Sequence, residues 1–284
     1  MSVRRGLASL ELAGIAVEAL SVGGLETCIC LPGLKLAFDV GLCPPEVVSR
    51  DTILFTHGHL DHMGGAAYHA ATRSLRNMRP PTYLMPRGLT HDFERMLDGW
   101  RSLDHSELAH RTVGIDPGEE HVLRPDLVAR PFRTSHTVLS QGYVLFTRRK
   151  KLRVEYAGLP GPEIKRLRVE QEVDVSEEIE EPLVAFSGDA RLDFLEREEA
   201  VRRARLLILE TTFLDGSVSV EECRAKGHVH LDEVIARAEL FANRAILMTH
   251  FSPRYRAREV RSLLELRLPA GLRGRVTPLL AGLG

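Results

Sequence analysis

The order of strand-like and helix-like segments predicts an α+β protein, a four-layer α/β/β/α sandwich of two facing sheets covered by helices. Three observations carry this expectation. The N-terminal third reads as short apolar or alternating runs separated by glycine turns. Helical patterns follow it. The same succession, strands and then helices, fills the rest of the 284 residues, which are read as one domain over 1–284.

The elements can be justified in order. Ile15–Ser21 alternates, Gly23 and Gly24 turn the chain, and Leu25–Leu31 alternates again. Pro32 and Gly33 make a second turn before strands at Lys35–Val40 and Thr52–Phe55. A helix is expected at Ala66–Leu75. Within 90–104, Phe93, Met96, Leu97, Trp100 and Leu103 fall on one helical face. A second set of strands is expected at Leu127–Phe132, Gly142–Thr147, Val184–Ser187 and Leu206–Glu210. A helix at Leu231–Phe241, a strand at Ala245–Thr249 and a helix at Glu259–Glu265 complete the chain. The segment Arg148–Glu181 stands apart. Its first half is basic, its second half is acidic, and Gly158–Pro162 interrupts it, so it reads as a charged flap inserted between core strands.

Composition removes several classes of function. With 38 Lys+Arg against 39 Asp+Glu the net charge is -1, and 44% of residues are hydrophobic. That is enough apolar surface for a core, and it excludes a uniformly basic nucleic-acid binder; any RNA contact needs a local basic patch. No apolar stretch approaches the ~20 residues of a membrane-spanning helix, so no membrane association is expected. Arg4 and Arg5 precede leucines as in a signal peptide, but Glu11 and Glu18 interrupt the run, and the segment is read as the start of the mature protein. Cys28, Cys30, Cys43 and Cys223 form no CxxC pair, and Cys28 and Cys30 lie on the same face of a strand. Reduced thiols and a cytoplasmic protein are expected.

The main chemical signal is His57-x-His59-x-Asp61-His62 directly after an apolar strand. Alternating positions 57 and 59 can face one centre, while Asp61 and His62 turn toward a second. Imidazole and carboxylate suit zinc and related divalent ions. Gly58, Gly64 and Gly65 let the backbone turn tightly around them. His136, Asp189 and His250 each follow an expected strand. One such residue says little, but loops at one edge of a sandwich can converge.

The set resembles the metallo-β-lactamase superfamily and, within it, the ribonuclease Z-like hydrolases, from Asp39 to Tyr255. Phe251-Ser252-Pro253-Arg254-Tyr255 is similar to that branch's FSxRY segment. Leu209–Phe213 resembles its HEATF segment with Leu in place of His, and Gly227–His230 its GHST segment with Val-His in place of Ser-Thr. The resemblance implies a metallo-β-lactamase fold and two divalent metal ions. Zinc is the first expectation, with manganese and iron as alternatives. His57, His59 and His136 would hold one ion, Asp61, His62 and His250 the other, and Asp189 would bridge them. Asp39 would support the site as a hydrogen-bond acceptor, with Ser187 and Thr56 as further supports. Glu210 would orient an active imidazole, His228 or its neighbour His230. Two family segments have no counterpart here: the N-terminal GTG loop near Gly14–Leu31, and the Gln-containing stretch after Asp39, where Gly41–Pro45 stands instead.

The implied activity is that of a dinuclear zinc phosphodiesterase, an endonuclease on RNA or an enzyme of smaller phosphodiesters. A hydroxide between the metals, hydrogen-bonded to Asp61, would be the nucleophile, and His228 would protonate the leaving oxygen. Arg148–Glu181 would correspond to a short version of the family's tRNA-gripping arm, and a homodimer is implied. Alternative readings are a thioester, lactone or other ester hydrolase of the same fold, a non-catalytic scaffold, and an iron redox site.

Overall fold

The computed structural model describes residues 6–284. Arg4 and Arg5, which gave the N-terminus its leader-like look, lie outside the described residues. The first seven strands form one sheet in sequence order: β1 (Ala8–Leu12), β2 (Ile15–Val22), β3 (Glu26–Leu31), β4 (Leu36–Val40), β5 (Thr52–Leu54), β6 (Thr82–Met85) and β7 (Arg111–Gly114). The next seven form the second: β8 (His121–Arg124), β9 (Leu127–Arg133), β10 (Gln141–Leu152), β11 (Ser176–Phe186), β12 (Leu206–Glu210), β13 (Ala245–Thr249) and β14 (Val276–Pro278). Each sheet begins as an antiparallel meander. Pairing turns parallel from β4 onward in the first sheet and from β11 onward in the second.

Strand periodicity explains the layering. In β12, Leu206 and Ile208 enter the core between the sheets, while Leu207 and Leu209 face the helices outside. In β4, Leu36 and Phe38 point inward, and Ala37 and Val40 point out. Strands covered on both faces read as continuous apolar runs, as these do. The helices are α1 (Leu60–Met63), α2 (Ala66–Leu75), α3 (Thr90–Asp104), α4 (Gly161–Glu170), α5 (Phe194–Arg197), α6 (Glu199–Arg203), α7 (Val220–Ala225), α8 (Leu231–Ala236), α9 (Ala257–Arg267) and α10 (Ala270–Arg273). α2 and α3 bury Ala66, Ala70, Phe93 and Leu97 against the first sheet; α9 and its neighbours bury Val260 and Leu264 against the second. The result is the expected four-layer sandwich.

The structure corrects the expectations in three places. β1, β6, β7, β8 and β14 were not foreseen; each has five residues or fewer, too short for a period to show, and β6 sits between prolines. The helix at 231 ends at Ala236, because Arg237 leaves helical geometry and a short 3-10 turn, Ala238–Leu240, leads toward β13.

The charged flap is the largest correction. β10 and β11 continue through most of it as a twelve- and an eleven-residue strand, so only 153–175, with α4, projects beyond the ladder. Register sets Arg148 opposite Glu180, Lys150 opposite Glu178 and Lys151 opposite Glu177. Arg148 and Arg130 share Glu120 and Glu180 in a network of ion pairs. The basic half and the acidic half therefore pair across a hairpin and do not form a basic patch followed by an acidic one.

Candidate metal centre

Chemistry gathers at the carboxyl ends of the parallel strands, where an α/β sheet places its ligands. Asp39 lies near the end of β4, Thr56 and His57 follow β5, and His136 follows β9. Asp189 follows β11, Glu210 ends β12, and His250 follows β13. Asp39 and His250 adopt left-handed backbone, with φ of 51° and 60°. This conformation is uncommon outside glycine, and where it occurs it tends to collect at functional sites.

The structure brings the predicted residues together in two groups. One nitrogen each of His57, His59 and His136 and one oxygen of Asp189 lie within 4.8 Å of one another, as do atoms of Asp61, His62 and His250. Asp189 stands between the groups. Its Oδ1 is 3.3 Å from both His62 Nε2 and His250 Nε2, and its Oδ2 is 3.9 Å from His57 Nε2 and 4.0 Å from His136 Nε2. Asp61 and His62 sit in the one-turn helix α1, not in an open loop, so the turn aims both at the second group.

Four of the five imidazoles, all but His59, are held through their other nitrogen. His62 Nδ1–H donates to Asp39 Oδ2 at 2.8 Å, and His136 Nδ1–H donates to the Gly227 carbonyl at 2.9 Å. The Thr56 hydroxyl donates to Asp39 Oδ2 (2.8 Å) and so accepts from His57 Nδ1–H (3.0 Å). The Thr212 hydroxyl repeats this pattern, donating to Glu210 Oε2 (2.8 Å) and accepting from His250 Nδ1–H (3.1 Å). Such partners fix the tautomer and leave Nε2 free for a metal.

The free atoms fit a cation. His62 Nε2 and His250 Nε2 face each other at 3.4 Å, and His57 Nε2 faces His59 Nδ1 at 3.0 Å. Burial disfavours a charged His62, but Asp189 and then Asp39 outweigh it and raise its pKa well above the ordinary value, so the facing nitrogens and the carboxylate beside them call for positive charge between them. Asp189 Oδ1 is buried without a hydrogen-bond partner. Burial, then the neighbouring imidazoles, hold His57 well below its ordinary pKa, so it is a neutral donor. Burial works against ionised Asp189, but His250, His62 and His57 outweigh it and keep it a carboxylate.

Close approach requires glycine at two points. A Cβ on Gly41 would lie 2.3 Å from the Asp61 carbonyl oxygen, and one on Gly227, whose φ is +78°, would lie 2.5 Å from His136 Nδ1.

Beside the two groups lies a further pair, whose His228 also forms a third possible ligand group with Asp189 and His250. Glu210 Oε1 is 3.0 Å from His228 Nδ1, and the same oxygen accepts the Ala190 N–H. Ser187 Oγ holds the Glu210 backbone N–H. Burial disfavours the His228 cation, yet Glu210 and Asp189 raise its pKa to about 9. His230 turns elsewhere: its Nδ1 caps α8 by accepting the Asp232 N–H, and its Nε2 bonds the Asp215 carbonyl. Of the two imidazoles left open by the sequence, His228 faces the centre. Sequence reasoning missed Thr212, whose signal was its place two residues after Glu210 in the HEATF-like segment.

The model of the beta-lactamase superfamily domain matches residues 41–251. The protein named tRNase Z TRZ1 of Arabidopsis thaliana is 44% identical over 276 residues, covering 96% of this chain and 98% of that protein. The chain belongs to the ribonuclease Z family of metallo-β-lactamase-fold enzymes. Two solved structures share the fold. The metallo-β-lactamase fold protein YhfI from Bacillus subtilis has a TM-score of 0.61 at 14% identity, over 92% of this chain and 94% of that one. The short form of human tRNase Z has 0.54 at 19%, over 96% and 93%. This ribonuclease Z-like chain is thus a metal-dependent hydrolase, and its His/Asp cluster is the part of the structure suited to the metal.

Proposed function

We propose that the protein is a dinuclear zinc endonuclease that cuts a phosphodiester of precursor tRNA. The observation that carries the reading is Asp189 set between two imidazole groups, with the Glu210–His228 pair beside them. His57, His59 and His136 would hold one ion, and Asp61, His62 and His250 the other. When bound, two such ions supply a water of lowered pKa and offset charge developing on the phosphate. Asp61 lies at the open side of the second group and is placed to orient that water. His228, held by Glu210, carries a proton at neutral pH and gives it to the leaving 3′ oxygen. The relative from Arabidopsis, named a tRNase Z, supports tRNA as the substrate. An imidazolium beside the metals favours a substrate with an alkoxide leaving group, such as a phosphodiester, over a thioester, whose thiolate leaves without a proton.

The arm keeps a reduced contact role in this reading. Arg148 and Arg149 of β10 are matched by β11 carboxylates, whereas Lys150 and Lys151 of β10 and Lys165 and Arg168 of α4 have no carboxylate within 4 Å among the described residues and remain for RNA phosphates. A homodimer is also proposed. The outer face of α2 exposes Tyr68 and Leu75, with Leu60 exposed at the start of α1 and Leu42 on the loop after β4, and α2 exposes no charged side chain. Four buried free thiols accord with a cytoplasmic protein.

The deciding experiment compares cleavage of a 3′-extended precursor tRNA with hydrolysis of bis(p-nitrophenyl) phosphate, using wild type, Asp189→Ala and Lys165→Glu/Arg168→Glu. Asp189→Ala is expected to lose the paired metals and both activities. The arm variant is expected to lose tRNA cleavage and keep the small substrate. Two tightly bound ions and full activity in Asp189→Ala would sink the metal assignment; tRNA left uncut by wild type would remove the substrate.

A further inference from the structure

The ring of Phe213 packs beside the proton-donor side of the centre, 6.4 Å from the His228 ring. Two cations lie over that ring: Lys226 Nζ at 5.4 Å and the Arg254 guanidinium at 5.2 Å from its centroid. Both side chains are exposed, whereas Phe213 is buried. Their neighbours are neutralised: Arg224 pairs with Glu233 at 2.7 Å, and Arg267 with Asp232. Lys226 and Arg254 have no carboxylate within 4 Å among the described residues, and Arg254 bonds only the Ser217 hydroxyl. The nearby Asp215 carboxylate is occupied by Ser217 and Tyr255.

Arg254 also lines a groove of about 560 Å³ that runs on past Arg258, with Asp215 and Glu259 on its walls. Arg254 thus joins the two features, lying over the Phe213 ring on one side and on the groove wall on the other. Two unmatched cations fixed over one aromatic ring, next to the group that protonates the leaving oxygen, suit a phosphate.

Resting on the proposed endonuclease, we infer that Lys226 and Arg254 over Phe213 form a subsite for the RNA phosphate immediately 5′ of the one cleaved, on the leaving-group side. Phe213 keeps the two cations at a set distance from His228. Lys226 and Arg254 thereby position the substrate and fix which phosphodiester of a strand is cut. Neither touches the reacting atoms.

The test is a cycle between protein and substrate. A synthetic acceptor-stem minihelix with a 3′ extension is cut by wild type, Lys226→Gln, Arg254→Gln and Lys226→Arg. A second minihelix carries a neutral methylphosphonate at that one 5′-flanking position. On the normal RNA, Lys226→Gln and Arg254→Gln are expected to lower kcat/KM about tenfold each, mainly through KM, and to flatten the salt dependence by about one unit of slope. Lys226→Arg should restore the rate. On the methylphosphonate RNA the same substitutions should cost little further. Full, additive losses on both RNAs would overturn the subsite while leaving the endonuclease in place. Failure of wild type to cut even the unmodified minihelix, with bis(p-nitrophenyl) phosphate hydrolysed, would overturn the RNA reading itself and the subsite with it.

Discussion

Glu210 and His228 meet at 3.0 Å, Oε1 to Nδ1, the first at the end of β12 and the second in the turn between α7 and α8. The carboxylate also takes both donors of Thr212, through its N–H and its hydroxyl, and that hydroxyl accepts from His250. One buried carboxylate thus orients the proton donor and one imidazole of the metal centre. Glu210→Gln should lower kcat on bis(p-nitrophenyl) phosphate by roughly 10–100-fold, and His228→Ala by roughly 10²-fold or more on a poor-leaving-group RNA substrate. Elemental analysis of His228→Ala should still find the wild-type metal content, because His228 serves the proton and not the ions. Loss of both ions in His228→Ala would move that residue into the metal assignment.

Gly227 tests the crowding of the site without a change to any ligand side chain. Its carbonyl holds His136, and its φ of +78° places a Cβ against that ring. Gly227→Ala should cost about 1–2 kcal/mol of stability from the left-handed backbone. By displacing His136 it should also weaken metal retention roughly 10–100-fold. Chelator competition measures the second effect. Unchanged retention beside a lowered melting temperature would mean that the ring has room to move.

His69 gives the fold a pH dependence away from the metals. Its Nδ1–H donates to Tyr83 Oη, which itself donates to the Ala66 carbonyl, and its Nε2 is buried without a partner. Burial, then the Arg73 charge, lower its pKa from 6.5 to about 4. The unfolded chain therefore takes up a proton below pH 6.5 that the folded chain refuses down to about 4. Stability contributed by neutral His69 is whole above pH 6.5 and falls as pH drops through that window. Between pH 7.5 and 5 this amounts to about 2 kcal/mol. His69→Asn, which keeps a donor to Tyr83 but does not titrate, should flatten the acid side of the urea-denaturation profile by that amount. Equal slopes in the two proteins would show that His69 is protonated in the fold.

Much of this molecule was legible before folding. The inner strands announced themselves because both faces are buried: β12 and β13 read as apolar runs up to their last residue, and β4 as one broken only by Asp39. The helix at Thr90–Asp104 showed one apolar face. The HxHxDH motif packs four donors into six residues, a density that an ordinary surface loop has no reason to carry. Short strands such as β6 and β14 left no trace, since three or four residues do not establish a period. The identity of the imidazole beside Glu210 was equally hidden. His228 and His230 are two residues apart in one loop, and only the cap that His230 makes on α8 separates them.

The charge of the chain shows where the boundary runs. By itself the sequence determined that 38 cations and 39 anions are present, that they segregate between Arg148 and Glu181, and that His and Asp donors cluster after strands. It did not determine which charges face one another, because that depends on register. Tertiary structure folds the basic run back on the acidic one as β10 and β11, so Arg148 and Arg149 are matched by β11 carboxylates. The same folding leaves Lys226 and Arg254, far apart in sequence and unremarkable in composition, unmatched over one ring beside the metal centre. Composition counts charges, but only distance decides which of them water and substrate can still feel.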